Sequence, residues 1–308
     1  MTQVHECPEG LYISDTVRRL TTSHAIGGAM ARVDAYWKLN IDSIDLNWYV
    51  RNYVGEDLRD NLNNPWEDNY HVFGTNVDAY AWSLYGSGLG YDAGGIPTLG
   101  TVEAISEWVQ NPDTGTWLHL YRISELNTPL RDFVNAARTE STSDDIALLR
   151  SEFSGRDTIN LSAFDDHMRG FAGNDKMYGH NGSDLLRGDS GKDKLYGGAG
   201  NDTLKGGDGD DILRGGNGRD KEFGGGGEDV FRFRTGDDKS IIRDFDAVGS
   251  EHDVIDLSGL ASVGNWSDLK NNHMEQIGSH VEIDGEGGDI IVIKDVTLAS
   301  LDKGDFLF

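Results

Sequence analysis

Between residues 152 and 232 the hydrophobic positions recur every nine residues. In nine-residue units counted from Glu152, the eighth position is Ile159, Met168, Met177, Leu186, Leu195, Leu204, Leu213, Glu222 and Phe231, apolar in every unit but one. The sixth position is Asp throughout: Asp157, Asp166, Asp175, Asp184, Asp193, Asp202, Asp211, Asp220 and Asp229. The fourth is Gly except at Phe164. A flexible linker has no reason to hold Asp and Leu in phase. Each unit therefore predicts a six-residue turn ending in Asp, then a short strand such as Thr203-Leu204-Lys205 with its middle side chain inward. A three-residue strand is unstable alone, so units must stack to bury a continuous core. Turn, strand, turn, strand makes one coil per two units, with alternate turns lying above one another.

Four units carry the full glycine turn: Gly197 to Asp202, Gly206 to Asp211, Gly215 to Asp220 and Gly224 to Asp229. Three more are close, GFAGND from 170, GHNGSD from 179 and GDSGKD from 188. Glycine lets the backbone take positive φ and lets another chain or an ion approach closely. Inward carbonyls with one Asp carboxylate per turn make an all-oxygen lining, which suits calcium with its ~6–8 flexible oxygen contacts better than magnesium. Stacked aspartates repel one another, so a cation is required. Leu161, Ser162 and Phe164 depart from the glycine pattern and predict an N-terminal transition or cap rather than full sites. Glu222 in an apolar slot predicts an imperfect last coil.

Downstream of 235 the nonamer ends but strand alternation persists, at Ser240–Asp246, Asp253–Ser258, His280–Asp284 and Asp289–Lys294. These predict a cap over the open end of the solenoid. Upstream, Ile26, Met30, Val33 and Trp37 follow helical spacing and predict an amphipathic helix over Ser23–Lys38. Val77–Tyr85, Thr101–Val109 and Thr116–Ile123 read as strands between Gly/Pro turns. Thr128-Pro129 opens a predicted helix through Arg138, and Ser143 precedes a short apolar helix with Leu148 and Leu149. The expected fold is mainly β: a small α+β N-terminal domain over 1–150, a parallel β-roll over 151–234 and a β-rich cap over 235–308.

The 308 residues carry 53 Asp+Glu and 27 Lys+Arg, a net charge of −26. Residues 1–150 contribute −11 and residues 151–308 contribute −15. So acidic a chain argues against a nucleic-acid partner. One Cys excludes an intramolecular disulfide framework and a Cys-based zinc cluster. No apolar run is long enough to predict a transmembrane segment, and Met1–Asp15 lacks the signature of a secretory signal peptide.

The repeat resembles the GGxGxDxUx calcium-binding nonapeptides of RTX proteins, as found in serralysin-type C-terminal domains. The resemblance implies calcium between turn n and turn n+2, with about five ions. One turn gives its second and fourth carbonyls plus Asp, the other its first and third carbonyls plus the next Asp. The implied pairs are Asp175 with Asp193, Asp184 with Asp202, Asp193 with Asp211, Asp202 with Asp220, and Asp211 with Asp229. The turn positions that these pairs bring with them are Gly173, Gly179, Gly182, Gly188, Gly191, Gly197, Gly198, Ala199, Gly200, Gly206, Gly207, Asp208, Gly209, Gly215, Gly216, Asn217, Gly218, Gly225 and Gly227. The terminal Gly304-Asp-Phe-Leu-Phe308 resembles the uncleaved signal of type I secretion substrates. The resemblance thus implies an extracellular protein of a Gram-negative bacterium, handled by type I secretion machinery and folding on extracellular calcium. The stretch YGSGLGYDAGGIPTLGTV, with the predicted helices and SGRDTI downstream of it, is similar to an N-terminal module on some alphaproteobacterial RTX proteins, which has no assigned chemistry.

Catalytic motifs are not evident. His5-Glu6-Cys7-Pro8-Glu9 ends in Glu where a zinc protease needs His, and Pro8 would break the helix. There is no GxSxG elbow. Gly188-Asp-Ser-Gly191 falls in repeat register and reads as a calcium turn. Trp48, Tyr49, Trp82, Tyr85, Trp108, Trp117 and Tyr121 are candidates for a sugar-stacking face, or for core. Two readings of residues 1–150 stand at this point: a module that binds a surface or extracellular polysaccharide, or a small secreted hydrolase or polysaccharide lyase.

Overall fold

The computed structural model describes residues 147, 149–248 and 252–308 in full and, upstream, the backbone of six strands. These are β1 (Arg32–Ala35), β2 (Tyr53–Asp60), β3 (Asp68–Gly74), β4 (Tyr80–Tyr91), β5 (Pro97–Gln110) and β6 (Trp117–Pro129). β2 to β6 form an antiparallel meander. The three predicted strands fall on β4, β5 and β6, each longer than its sequence span.

The predicted helix over Ser23–Lys38 is corrected in its described part, because Arg32–Ala35 is strand. β1 pairs antiparallel with β6, Val33 opposite Ile123, and parallel with β7 (Thr158–Asn160), Val33 opposite Ile159. Two open sheet edges recruit this segment, and their hydrogen bonds outweigh a local 3.6-residue period. Thr128-Pro129 ends β6, and the helix predicted after it lies outside the described residues. Helix does occur over 149–152, with Leu149 and Phe153 buried.

From β7 the chain coils. β9 (Lys176–Asn181), β11 (Lys194–Ala199), β13 (Ile212–Asn217), β15 (Val230–Arg234) and β17 (Val254–Gly259) follow β7 in one parallel sheet. β8 (His167–Arg169), β10 (Leu185–Ser190), β12 (Thr203–Asp208), β14 (Arg219–Gly226) and β16 (Lys239–Ile242) form the other. Partners such as Leu195 and Leu213, or Leu186 and Leu204, stand eighteen residues apart, as one coil per two units requires. The roll has about five turns. Most of its strands run to six residues rather than three, because pairing continues into the glycines, for example Gly198 opposite Gly216.

The core is two ladders of eighth-position side chains facing each other. Ile159, Met177, Leu195, Leu213 and Phe231 line one sheet; Met168, Leu186 and Leu204 line the other, and all are fully buried. Each such side chain contributes ~1.5–3 kcal/mol. Beyond the nonamer the pitch lengthens: Asp220 pairs with Ser240 and Val230 with Val254. β18 (Met274–Ile277), β19 (His280–Asp284) and β20 (Ile290–Lys294) then close one sheet, and β21 (Phe306–Leu307) closes the other. No described helix is long and apolar enough to cross a membrane.

Candidate metal sites in the turn ladder

Each turn begins where its strand ends, and its second and fourth residues take positive φ. Gly198 and Gly200 stand at φ 115° and 139°. Three earlier turns force Phe171, His180 and Asp189 into the left-handed region at φ 67°, 72° and 71°. That conformation costs a non-glycine residue roughly 1–2 kcal/mol.

The turn aspartates are buried and use their two oxygens differently. Oδ1 of each accepts the backbone N–H of the aspartate eighteen residues earlier: Asp193 Oδ1 from Asp175 at 2.7 Å, Asp202 from Asp184 at 2.8 Å, Asp211 from Asp193 at 2.8 Å, Asp220 from Asp202 at 2.9 Å and Asp229 from Asp211 at 2.9 Å. Asp175 and Asp184 likewise hold Asp157 and Asp166 at 2.8 Å. Oδ2 of Asp175, Asp184, Asp193, Asp202, Asp211, Asp220 and Asp229 is buried and accepts no hydrogen bond. An ionised oxygen in that state is costly unless a cation or proton meets it.

The orphan oxygens have company. A Cβ placed on Gly206 would lie 2.5 Å from Gly224 O and closer still to Asp211 Oδ2. The same meeting of an aspartate Oδ2 with the first carbonyl of the turn stacked two units on occurs at Gly170, Gly179, Gly188 and Gly197, where Gly188, Gly197, Gly206 and Gly215 supply the carbonyl. Only a residue without a side chain leaves this gap open. Third-position carbonyls already hold one N–H from the preceding turn, as Asp208 O does from Gly191 N and Asn217 O from Gly200 N, both at 2.8 Å. Fourth-position carbonyls such as Gly182 O and Gly191 O occupy the points where a Cβ on Gly200 or Gly209 would stand. The turn residues that the sequence singled out thus come together as stacked oxygen-lined gaps. At Gly215 and Gly224 the Asp oxygen is present, but no carbonyl is among the atoms nearest the Cβ position.

Burial without a partner weakens these acids, raising their pKa. Asp175, Asp184 and Asp211 are pushed up to about 8, Asp220 to about 7, and Asp193, Asp202 and Asp229 to about 6. Desolvation is the main cause; neighbouring carboxylates add to it, while the Oδ1 hydrogen bond opposes it. Among the described residues no three His, Cys, Asp or Glu side chains converge on one point. That fits gaps lined by aspartates and backbone carbonyls. Hard, anionic and flexible, the set fits calcium.

The predicted N-terminal departure has a direct cause. Ser162 donates to Asp166 Oδ2 through its N–H at 2.8 Å and its hydroxyl at 2.7 Å. A serine where glycine belongs satisfies the oxygen that a cation would otherwise need. The sequence reading missed Asp253, whose Oδ1 accepts Asp229 N at 3.1 Å, the clamp moved to a 24-residue step. Its signal was the Asp-x-apolar string Asp253-Val-Ile255, out of phase with the nonamer. Asp244 was missed too; its Oδ1 accepts Gly224 N at 3.0 Å. Of the candidate aromatics, Trp82 and Tyr85 lie on β4, Trp108 on β5, and Trp117 and Tyr121 on β6; Trp48, Tyr49 and Cys7 lie outside the described residues.

The family model of the RTX calcium-binding nonapeptide repeat matches residues 153–186 and 187–222. Residues 153–222 are RTX calcium-binding repeats. The RTX match spans six of the seven turns that carry the orphan oxygens, all but that of Asp229, and stops before the cap, where the pitch changes. Two solved structures are similar to the chain. The extracellular lipase LipA from Serratia marcescens is 16% identical, over 50% of this chain and 40% of that one, with a TM-score of 0.25. The AlgE6R3 subunit of the Azotobacter vinelandii mannuronan C5-epimerase is 24% identical, over 51% of this chain and 80% of that one, with a TM-score of 0.23. The chain thus spans less than half of the lipase. No curated protein matches the chain.

Proposed function

We propose that this is an exported protein whose RTX roll folds when calcium becomes available outside the cell. The observation that carries the reading is the ladder of buried Oδ2 atoms without partners. Calcium neutralises that ladder when bound. Asp175, Asp184, Asp193, Asp202 and Asp211 supply its orphan oxygens, each with the first carbonyl of the turn stacked two units on, which gives five ions. In calcium-poor cytosol the aspartates of neighbouring coils repel, and the chain stays unfolded and competent for export by type I machinery. Any ligand that binds only the folded state then stabilises it by mass action. The measurement is the far-UV circular dichroism of the full chain titrated with calcium and, separately, magnesium. A β signal that rises with calcium alone is expected; a spectrum indifferent to calcium overturns the reading.

The N-terminal meander is the region this roll carries, and we assign it to binding an extracellular surface or polysaccharide. Pairing of β1 with both β6 and β7 supports this, because it sets the meander as an extension of the roll sheet. Calcium-loaded protein co-migrating with an acidic polysaccharide of unchanged length is the expected result. Shortened polymer would instead make the chain a hydrolase or lyase.

A further inference from the structure

At the downstream end of one row of turns, Glu222 takes an inward place among apolar side chains. It stands in register between Leu204 and Ile242 and is fully buried. The reason lies in the opposite sheet. Pairing of β13 with β15 stops after Leu213 opposite Phe231, and no glycine turn continues in step. In an upstream coil the first turn N–H, Gly170, donates to the strand carbonyl of Arg187 at 2.8 Å. Gly215 N–H donates instead to Glu222 Oε1, at 3.2 Å.

That contact uses only half of the carboxylate. Glu222 Oε2 accepts no hydrogen bond of normal geometry, nor does Asp220 Oδ2, and both atoms are buried; the buried Ser240 hydroxyl, also without a partner, lies beside the Glu222 carboxyl. Both side chains bracket Gly215: Oε1 is on its N–H, and Asp220 Oδ2 lies against the point a Cβ would take. At the five upstream gaps a carbonyl of the turn stacked two units on reaches that point; here the nearest atoms all belong to Asp220. Two buried, repelling carboxylates with one bare oxygen each are a far worse arrangement than a carboxylate and a carbonyl. Asp237, the next acid nearby, is engaged by Arg214 through two hydrogen bonds, and Arg234 N donates to it as well. The other row ends differently: Asp244, which accepts Gly224 N, is exposed to water.

We propose that Asp220 and Glu222 hold an additional calcium ion at the end of this row, Glu222 supplying the oxygen that the missing turn does not. The inference rests on the calcium reading of the repeats. Glu222 is then no flaw in the core but a side-chain replacement for a coil. Native mass spectrometry of the full chain in saturating calcium tests it. Wild type should carry one ion more than E222Q, whose amide oxygen can still accept the Gly215 N–H. Equal stoichiometry overturns the proposal and leaves the repeat sites intact, whereas a wild type that takes up no calcium sinks the underlying reading. Infrared spectroscopy on wild type guards against an E222Q that fails to fold. With the glutamate side-chain carboxyls carbon-13-labelled, so that aspartates do not contribute, no protonated-carboxyl band should be present at neutral pH in saturating calcium; such a band means Glu222 is neutralised by a proton instead, and the proposal is wrong.

Discussion

From Asp175 to Asp229 each turn aspartate of the roll holds backbone with one oxygen and leaves the other bare; in the cap Asp253 and Asp289 use both. Asp253 accepts Asp229 N on Oδ1 at 3.1 Å and Asp246 N on Oδ2 at 2.8 Å. Asp289 accepts Gly236 N on both oxygens and Asp238 N on Oδ1, all at 3.0 Å. One clamp therefore serves two ends. Where N–H groups complete the carboxylate, the protein alone can hold it. Where they do not, the coil is half-finished until a cation arrives. Counting satisfied oxygens separates structural from metal-facing aspartates more sharply than counting aspartates does.

The largest test of that contrast is pH without calcium. The roll aspartates are raised from their ordinary value of 3.8, Asp175, Asp184 and Asp211 to about 8. A carboxyl raised on folding stabilises the fold when protonated, and that stability is lost as pH rises through the folded value. Calcium-free protein should thus show most roll structure toward pH 4 and lose it between about 6 and 8, the range of the raised values. Circular dichroism in chelator checks this, and calcium should restore the neutral-pH signal. A calcium-free roll that is stable at pH 8 and melts on acidification would contradict it.

Next comes D202N. Asn keeps an acceptor for Asp184 N but replaces the orphan oxygen with an NH2 aimed into an oxygen-lined gap. The calcium concentration at half-folding should rise about a hundredfold, some 3 kcal/mol. D253N in the cap loses one N–H contact and should cost about 1–3 kcal/mol in urea titrations, by the same amount at every calcium concentration. If both variants shift equally with calcium, the distinction between roll and cap collapses.

The smallest pair sharpens the geometry. G206A puts a methyl where Asp211 Oδ2 and Gly224 O meet, without demanding a left-handed backbone, so it should lose one ion and raise the calcium midpoint roughly tenfold, about 1.4 kcal/mol. G226A meets nothing within 4 Å and should stay within about 0.5 kcal/mol of wild type by calorimetry.

Much of the roll is legible because its period is local. Strict phasing of Asp202, Leu204 and Gly206 encodes coil, core and turn at once. Strand length was underread because glycines seldom signal pairing, yet Gly198 and Gly216 lie opposite each other. Asp253 hid because the cap steps by 24 residues, and Ser162 because a hydrogen bond to Asp166 cannot be inferred from spacing. β1 misled for another reason: its helical period is real, but the edges of β6 and β7 are distant in sequence.

The clamp also has a direction. From Asp175 to Asp229 the sixth-position Oδ1 reaches back to a residue eighteen positions earlier, as Asp211 does to Asp193 and Asp193 to Asp175. The fifth positions run the other way, since Asn174 Oδ1 accepts Lys192 N at 2.8 Å and Asn201 Oδ1 accepts Arg219 N at 2.9 Å, so a coil is fastened by the segment after it and by the one before. Neighbouring coils are laced from both sides, so a coil can be added to either end of the stack and find one latch already waiting for it.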